Sequence, residues 1–402
     1  MSRPSPANHH SPAATPRGGA GEHQGAAMKK GWQTKTLGEI LQRTETIDPL
    51  QSPEAEFDYI DVSSVSNATF QIEETQHLKG KDAPSRARRL VKANDVLFAT
   101  VRPTLRRIAV VPEHLDNQVC STGYFVLRPK QGIDHRFVFY WLFTKDFMGQ
   151  MESLQKGASY PAVTDREVRA QLIPFPPLPE QQRIVGILDE AFEGIATAKA
   201  NAEKNLQSAR AIFESHLQSV FTRRGEGWAE KTIGECFKVR SGDFLPAKAM
   251  VEAGEFDVYG GNGIAGRHDQ KNLSGENIVI GRVGAKCGNV RHVLGDLWLT
   301  DNAFYIPEFF CRFDLGFLAR VLERKQLRST ANQAAQPVIS YTTIKDVMLE
   351  FPVSETEQNR IAQKLDALET ETQRLESLYQ RKLAALEALK KSLLHQAFTG
   401  NL

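Results

Sequence analysis

An α+β fold is predicted, with two unlike α/β blocks that each run into a long helix, the two helices pairing as an antiparallel coiled coil. Three observations predict it. Matching segments recur in the same order in the two halves of the chain. The interior of each half consists of short β-branched and aromatic runs ("RIAVVP", "YFVLRP", "NIVIGRV", "LWLTDNAFYIP") broken by Gly, Pro and Asn. Each half then ends in an apolar stripe at helical spacing.

Taken in order, residues 1–27 are Pro, Ala, Gly, Ser and His without apolar periodicity, a composition that cannot bury enough surface to offset ordering, so a disordered tail is expected. Met28 opens "MKKGWQTKTLGEI" and is read as the true start, with the first block over 28–177. The first long helix follows over 178–223, a second block over 224–353, and the second long helix over 354–402. The repeat rests on four matches. "GWQTKTLGEI" (Gly31–Ile40) answers to "GWAEKTIGEC" (Gly227–Cys236), and "NDVLFATVRP" (Asn94–Pro103) to "ENIVIGRVGA" (Glu276–Ala285). "YPAVTDREVRAQLIPFP" (Tyr160–Pro176) answers to "QPVISYTTIKDVMLEFP" (Gln336–Pro352), and the helix entrance "PLPEQQRIVGILD" (Pro177–Asp189) to "VSETEQNRIAQKLD" (Val353–Asp366).

The second helix carries a heptad seam of Ile361, Leu365, Leu368, Thr372, Leu375, Tyr379, Lys382, Leu386, Leu389 and Leu393. The first carries Ile184, Leu188, Ala191, Ile195, Ala198, Ala202, Leu206, Ala209, Phe213, Leu217 and Val220, whose alanines permit close approach. At about 1.5 Å per residue such a helix spans roughly 65 Å. One apolar stripe that long needs a partner helix. The nearest candidate is its own repeat; self-association of two chains is the alternative.

Composition excludes several classes. No apolar run approaches the roughly 18 residues of a membrane span. Cys120, Cys236, Cys287 and Cys311 lie far apart with no CxxC pair, which argues against a zinc site or a disulfide framework and for a reducing, cytoplasmic setting. "GGNGIAG" satisfies GxGxxG through Gly261, Gly263 and Gly266, but a polar, turn-like stretch follows where a dinucleotide site needs a helix. Asn262-Gly263 reads instead as a hairpin turn. "FPPL" (Phe175–Leu178) lacks the amide or carboxylate that an amino-methyltransferase signature places before its prolines. No P-loop, HExxH or GxSxG occurs, and no constellation supports catalysis. The chain reads as a binder.

Net charge is only +2, but Gln76–Val110 holds nine Lys or Arg against Asp82 and Asp95. Such a local excess suits a phosphate-facing surface, although a solvated loop fits it equally well. Candidate cations for such a surface in the first block are Arg86, Arg88, Arg89, Lys92, Arg102, Arg106 and Arg107, which become candidate DNA contacts under the resemblance given below. In the second block they are Arg240, Lys248, Arg267, Lys271, Arg282 and Lys286, interleaved with glycines that let backbone approach a duplex. "KGASYPAVT" (Lys156–Thr164) and "NQAAQPVIS" (Asn332–Ser340) occupy equivalent loops and are further candidates.

Two divergent blocks, each ending near P-x-x-EQ-x-RI and running into a long helix, resemble the specificity (S) subunits of type I restriction–modification enzymes. The resemblance covers nearly everything from Met28 to Leu402 and includes "KTLGE"/"KTIGE", "VYGGNGIAG" and the ending "LLHQAFTGNL". The second entrance departs mildly, with "FPVSETEQ" where the family often keeps prolines. The resemblance implies that each block is a target recognition domain reading one half of a bipartite site in double-stranded DNA. It implies that the helices hold the domains apart and dock two methyltransferase (M) subunits, with restriction (R) subunits joining the complex. This chain would then bind no cofactor, S-adenosylmethionine, ATP and Mg being expected on the partner subunits, and would catalyse nothing itself. A coiled-coil adaptor without DNA recognition is the competing expectation.

Overall fold

The repeated opening segments fold by one local rule. The Thr36 hydroxyl accepts from the Glu39 amide at 3.3 Å while the Glu39 carboxylate takes the Thr36 amide at 2.6 Å. This reciprocal cap starts the one-turn helix Leu37–Ile40. Thr232 and Glu235 build the same cap for Ile233–Cys236. Between cap and acid, a Cβ on Gly38 would stand 3.4 Å from the Arg169 carbonyl oxygen, and one on Gly234 3.3 Å from that of Lys345. The "KTLGE"/"KTIGE" repeat is therefore a capped turn pressed against the segment that returns toward the long helix. Strand pairing closes each block beside it: Gln33–Thr36 with Leu172–Phe175, and Trp228–Thr232 with Met348–Pro352, both antiparallel.

The computed structural model describes residue 29 and residues 31–222, 224–332 and 335–402; the tail expected over 1–27 lies outside them. Contacts divide the chain into two units, one reaching to Lys199 and taking in Ala384–Leu402, the other Ala200–Leu383. Both long helices are thus shared, because each half-helix packs on the block beside it.

Inside the units the strands correspond. In the first, Val96–Ala99 lies between Ile108–Val110 and Tyr124–Leu127. In the second, Glu276–Gly281 lies between Val290–Leu294 and Ala303–Phe309. Likewise Glu56–Ile60 pairs antiparallel with Gln76–Lys79 and parallel with Val119–Ser121. Its counterpart Phe256–Gly260 pairs antiparallel with Gly263–His268 and parallel with Leu297–Leu299. The glycine-rich stretch is this hairpin. Gly260 pairs with Gly263, leaving Gly261 and Asn262 as the two-residue loop. The units differ in what joins the strands: 15 residues separate Ile60 from Gln76 where the second unit spends those two, and only the first adds the strand Ala87–Leu90.

One face of each sheet is covered by an Asp-capped helix, His135–Trp141 in the first unit and Leu315–Arg324 in the second. Phe98, Phe125, Phe137 and Phe147 form the first core with Ile184 and Leu188 from the first long helix and Ala397 and Phe398 from the second. Phe237, Ile280, Phe317 and Leu322 form the second core with Phe221, Ile361 and Leu365. Phe398 and Phe221 play the same part, with ring centroids 4.9 Å from Phe137 and 6.1 Å from Phe317 respectively. Burying each such ring is worth about 1.5–3 kcal/mol.

The long helices are Leu178–Thr222 and Glu355–Thr399, 45 residues each. They run antiparallel in both units: Lys199 pairs with Glu387 at 3.3 Å in the first, Arg210 with Glu376 at 2.6 Å in the second. Every residue of the predicted first stripe is withdrawn from solvent. The second seam holds through Tyr379 and then departs from expectation. Lys382 and Leu389 face solvent, Leu389 at 47 % exposure, while Leu383, Leu386, Lys390, Leu394 and Ala397 take the inner face. Leu393 also stays on the inner side, so the expected seam fails at Lys382 and Leu389 alone, where the roughly 20° per heptad by which a helix of 3.6 residues per turn drifts from a strict 3.5 repeat has accumulated.

Candidate nucleic-acid interface and helix entrances

Each letter of the repeated helix entrance has a structural reason, and the same one twice. Gln181 and Gln358 are fully buried, at 0 % exposure. The Gln181 amide donates to the Pro176 carbonyl at 2.8 Å and accepts from the Asp134 amide at 3.0 Å. Gln358 donates to the Pro352 and Arg312 carbonyls at 2.8 and 3.2 Å and accepts from the Asp314 amide at 2.9 Å. Asp134 and Asp314 cap the covering helices. One amide therefore ties strand end, long helix and covering helix together. Beside it, Glu180 bonds Arg183 at 2.7 and 3.0 Å, and Glu357 bonds Arg360 at 2.8 and 2.6 Å. Within each pair the two residues sit about one turn apart on the same helix. Arg183, then Lys29, hold the Glu180 carboxyl well below its usual range, at about 2. Six residues beyond each arginine, Asp189 takes bonds from Arg136 and Tyr140, and Asp366 takes one from Arg320 at 2.8 Å. The covering helix is thus clamped to the long helix in each unit.

The thirteen candidate cations divide by what they already hold. Arg88 is paired with Asp48, and Arg89 with Asp165 at 2.8 Å. Arg107 gives one nitrogen to the carbonyls of Val62, Ser63 and Val65 at 3.2, 3.0 and 2.6 Å, which fixes that loop. Arg282 bonds the Asp301 carbonyl at 3.1 Å and lies over the Phe304 ring. Arg267 bonds the Glu255 carbonyl at 3.0 Å, and Lys271 bonds Asp296 at 2.7 Å. By contrast Arg86, Lys92, Arg106, Arg240, Lys248 and Lys286 are exposed, and their side chains have no hydrogen-bond or ion-pair partner among the described residues. Arg102 stands between the two groups. Its guanidinium lies 5.2 Å over the Tyr160 ring and donates to the Ser159 carbonyl at 3.3 Å, both in the loop Lys156–Thr164.

That loop and its counterpart, Asn332–Ser340, reach the same place in their units. Val101 bridges Ala162, and Val283 bridges Val338. Sequence reasoning missed Arg128, whose guanidinium makes two bonds of 2.8 Å to the buried carboxylate of Asp95 and one of 2.7 Å to Glu45. A lone arginine at a strand end carried no signal for it. No helix among the described residues is long and apolar enough to cross a membrane, and no described cluster of His, Cys, Asp or Glu could hold a metal ion.

The type I restriction modification DNA specificity domain matches twice, over residues 29–206 and 225–385. A similar protein is the type I restriction enzyme EcoprrI specificity subunit of Escherichia coli, 27% identical over 71% of this chain and 73% of that one. The HindI specificity subunit of Haemophilus influenzae is 27% identical over 46% of this chain and 40% of its own length. Among solved structures, the HsdS subunit from Thermoanaerobacter tengcongensis superposes with a TM-score of 0.69 at 26% identity, over 94% of this chain and 99% of that one. A chain from a structure addressing complex assembly and conformational transition of the type I R-M system gives 0.75 at 26% identity, over 94% and 100%.

Proposed function

The chain belongs to the type I restriction–modification DNA specificity family, and on that premise we propose that it is the DNA-reading subunit of a type I complex, with one unit for each half of a bipartite site. The observation that carries this reading is a duplicated frame with unlike furnishing. The Thr–Glu caps, the buried entrance glutamines and the Asp caps of the covering helices recur at equivalent positions, while the loops and free cations between them do not. Two readers of different sequence on one repeated scaffold are what an asymmetric two-part site requires. The fixed spacing of such a site would come from the paired helices, since half-site separation follows protein geometry.

In this reading the chain performs no chemistry. The exposed Glu180–Arg183 and Glu357–Arg360 faces are suited to docking two modification subunits in equivalent ways, and restriction subunits would join through them. S-adenosylmethionine, ATP and Mg would belong to those partners. The test is a block exchange. Residues 31–177 are replaced by the equivalent block of a family member of known specificity, and methylated sites are mapped in the assembled complex. One half of the methylated sequence should change and the other persist. A change in both halves, or DNA binding that no half-site alters, would refute the modular reading; a pure adaptor would retard no DNA even with modification subunits present.

A further inference from the structure

The two units contain the same turn, and the comparison between them singles out two arginines. In the first unit the turn follows Val96–Ala99; in the second it follows Glu276–Gly281. Equivalent hydrogen bonds set the register. The amide of Arg102 donates to the Pro161 carbonyl at 2.6 Å, and that of Gly284 to the Pro337 carbonyl at 2.9 Å. The amide of Leu105 donates to the Arg102 carbonyl, and that of Cys287 to the Gly284 carbonyl, both at 2.9 Å. Arg102 therefore stands where the second unit has Gly284, and Arg106 where it has Gly288.

All four residues are left-handed: φ is +49° and +54° at Arg102 and Arg106, +97° and +83° at Gly284 and Gly288. Glycine adopts this conformation freely, whereas a side chain is disfavoured there. The first unit places its longest side chain at both positions, four residues apart, against backbone preference. Both arginine side chains are exposed and neither reaches the core. Arg106 has no side-chain partner among the described residues, and Arg102 touches only Tyr160 and Ser159 of an exposed loop. Their neighbour Arg107, in ordinary backbone geometry, does the structural work with three carbonyl bonds. Strain held at solvent-facing positions without structural return is a mark of function.

What surrounds the arginines is also unusual for a surface turn. Tyr160 is 72 % exposed and Leu105 42 %. The Lys390 ammonium is lowered by burial and, despite Glu387, further by the positive charges of Lys199 and Arg106. The turn thus gathers uncompensated positive charge beside exposed apolar surface, a combination matched to a polyanion whose groove carries both phosphates and base edges.

We propose that the Arg102–Arg106 turn is the base-reading element of the first unit, with Arg102 contacting a base edge and Tyr160 positioning its guanidinium. This rests on the reading of the chain as a DNA specificity subunit. The glycine turn of the second unit offers no side chain at either position, so the two units read their half-sites with different elements. That asymmetry lies on one shared backbone path.

The test uses the full chain in complex with its modification subunits. Methylated sites are mapped first for the native complex, and the first unit's half-site is identified by the exchange of residues 31–177. If the native complex methylates no bipartite sequence, the underlying reading fails before any variant is made. Arg102→Gly, Arg106→Gly and the double variant are then compared by site mapping, by DNA retardation and by thermal melting. Glycine is the residue that the second unit carries at these positions, so the melting temperature should hold or rise. Discrimination at one base pair of the first half-site should fall by roughly 5- to 150-fold, the range for a bidentate arginine contact, with the second half-site intact. Tyr160→Ala should reproduce part of that loss at an unchanged melting temperature, which a purely structural tyrosine would not do, and Tyr160→Phe, which keeps the ring under Arg102, should restore discrimination. Three outcomes overturn the proposal: unchanged discrimination in the double variant, equal weakening at every sequence, or a lowered melting temperature that shows the arginines to be structural.

Discussion

Replacing Gln181 by leucine should destabilise the first unit far more than its place at a helix start suggests. The side chain is fully buried and its amide serves two backbone groups, the Pro176 carbonyl at 2.8 Å and the Asp134 amide at 3.0 Å. Leucine fills nearly the same space but pairs with neither. Each orphaned buried group costs about 1–3 kcal/mol, and the more apolar side chain returns part of that, so a net loss of about 2–4 kcal/mol is expected. For a unit of this size that corresponds to a melting temperature lower by roughly 4–16 °C. Gln358→Leu should cost at least as much, because that amide serves three backbone groups. Urea unfolding measures the effect, with Gln182→Leu as the control, since Gln182 is exposed. The expected result is a lower midpoint with an unchanged slope for Gln181→Leu and a shift within about 0.5 kcal/mol for the control. Equal shifts in the two variants would refute the claim that the buried amide bridges strand end and covering helix.

Two further outcomes follow from the same geometry. Arg183 and Lys29 depress the Glu180 carboxyl from an ordinary 4.5 to about 2, so its contribution should be complete above about pH 4.5 and disappear as pH falls toward 2. Urea midpoints at pH 5 and pH 3 should therefore lie further apart in the native chain than in Glu180→Gln, and parallel pH profiles would contradict the pairing. Along the second helix, Leu389→Ala should change stability by less than about 0.5 kcal/mol, because that side chain faces solvent. Leu386→Ala, on the inner face, should cost about 1–3 kcal/mol, and equal losses at the two positions in thermal melts would restore the strict heptad seam, which contains both.

What the amino-acid sequence determined by itself is whatever local or periodic rules encode. The duplication, the Thr–Gly–Glu openings, the apolar stripe of the first helix and the second seam as far as Tyr379 all depend on neighbours within one or two turns, and each is legible as a pattern. Repetition did the rest, since a motif written twice marks its own boundaries. The meaning of the entrance glutamines was not legible, because their partners, Asp134 and Asp314, lie 47 and 44 residues away. Which basic residues already hold partners was not legible for the same reason. Arg88, Arg89 and Arg107 look identical to Arg86 and Arg106 in a charge count, yet carbonyls and carboxylates 40 or more positions distant occupy the first three. Only the tertiary structure decided which cations remain free, because an ion pair is a contact between segments, and only folding brings those segments together. It also decided that two of the arginines are left-handed, since backbone conformation in a turn is imposed by the strands that the turn must join. The outward turn of Lys382 and Leu389 came likewise from three dimensions: helical drift accumulates with length, and packing chooses where to absorb it.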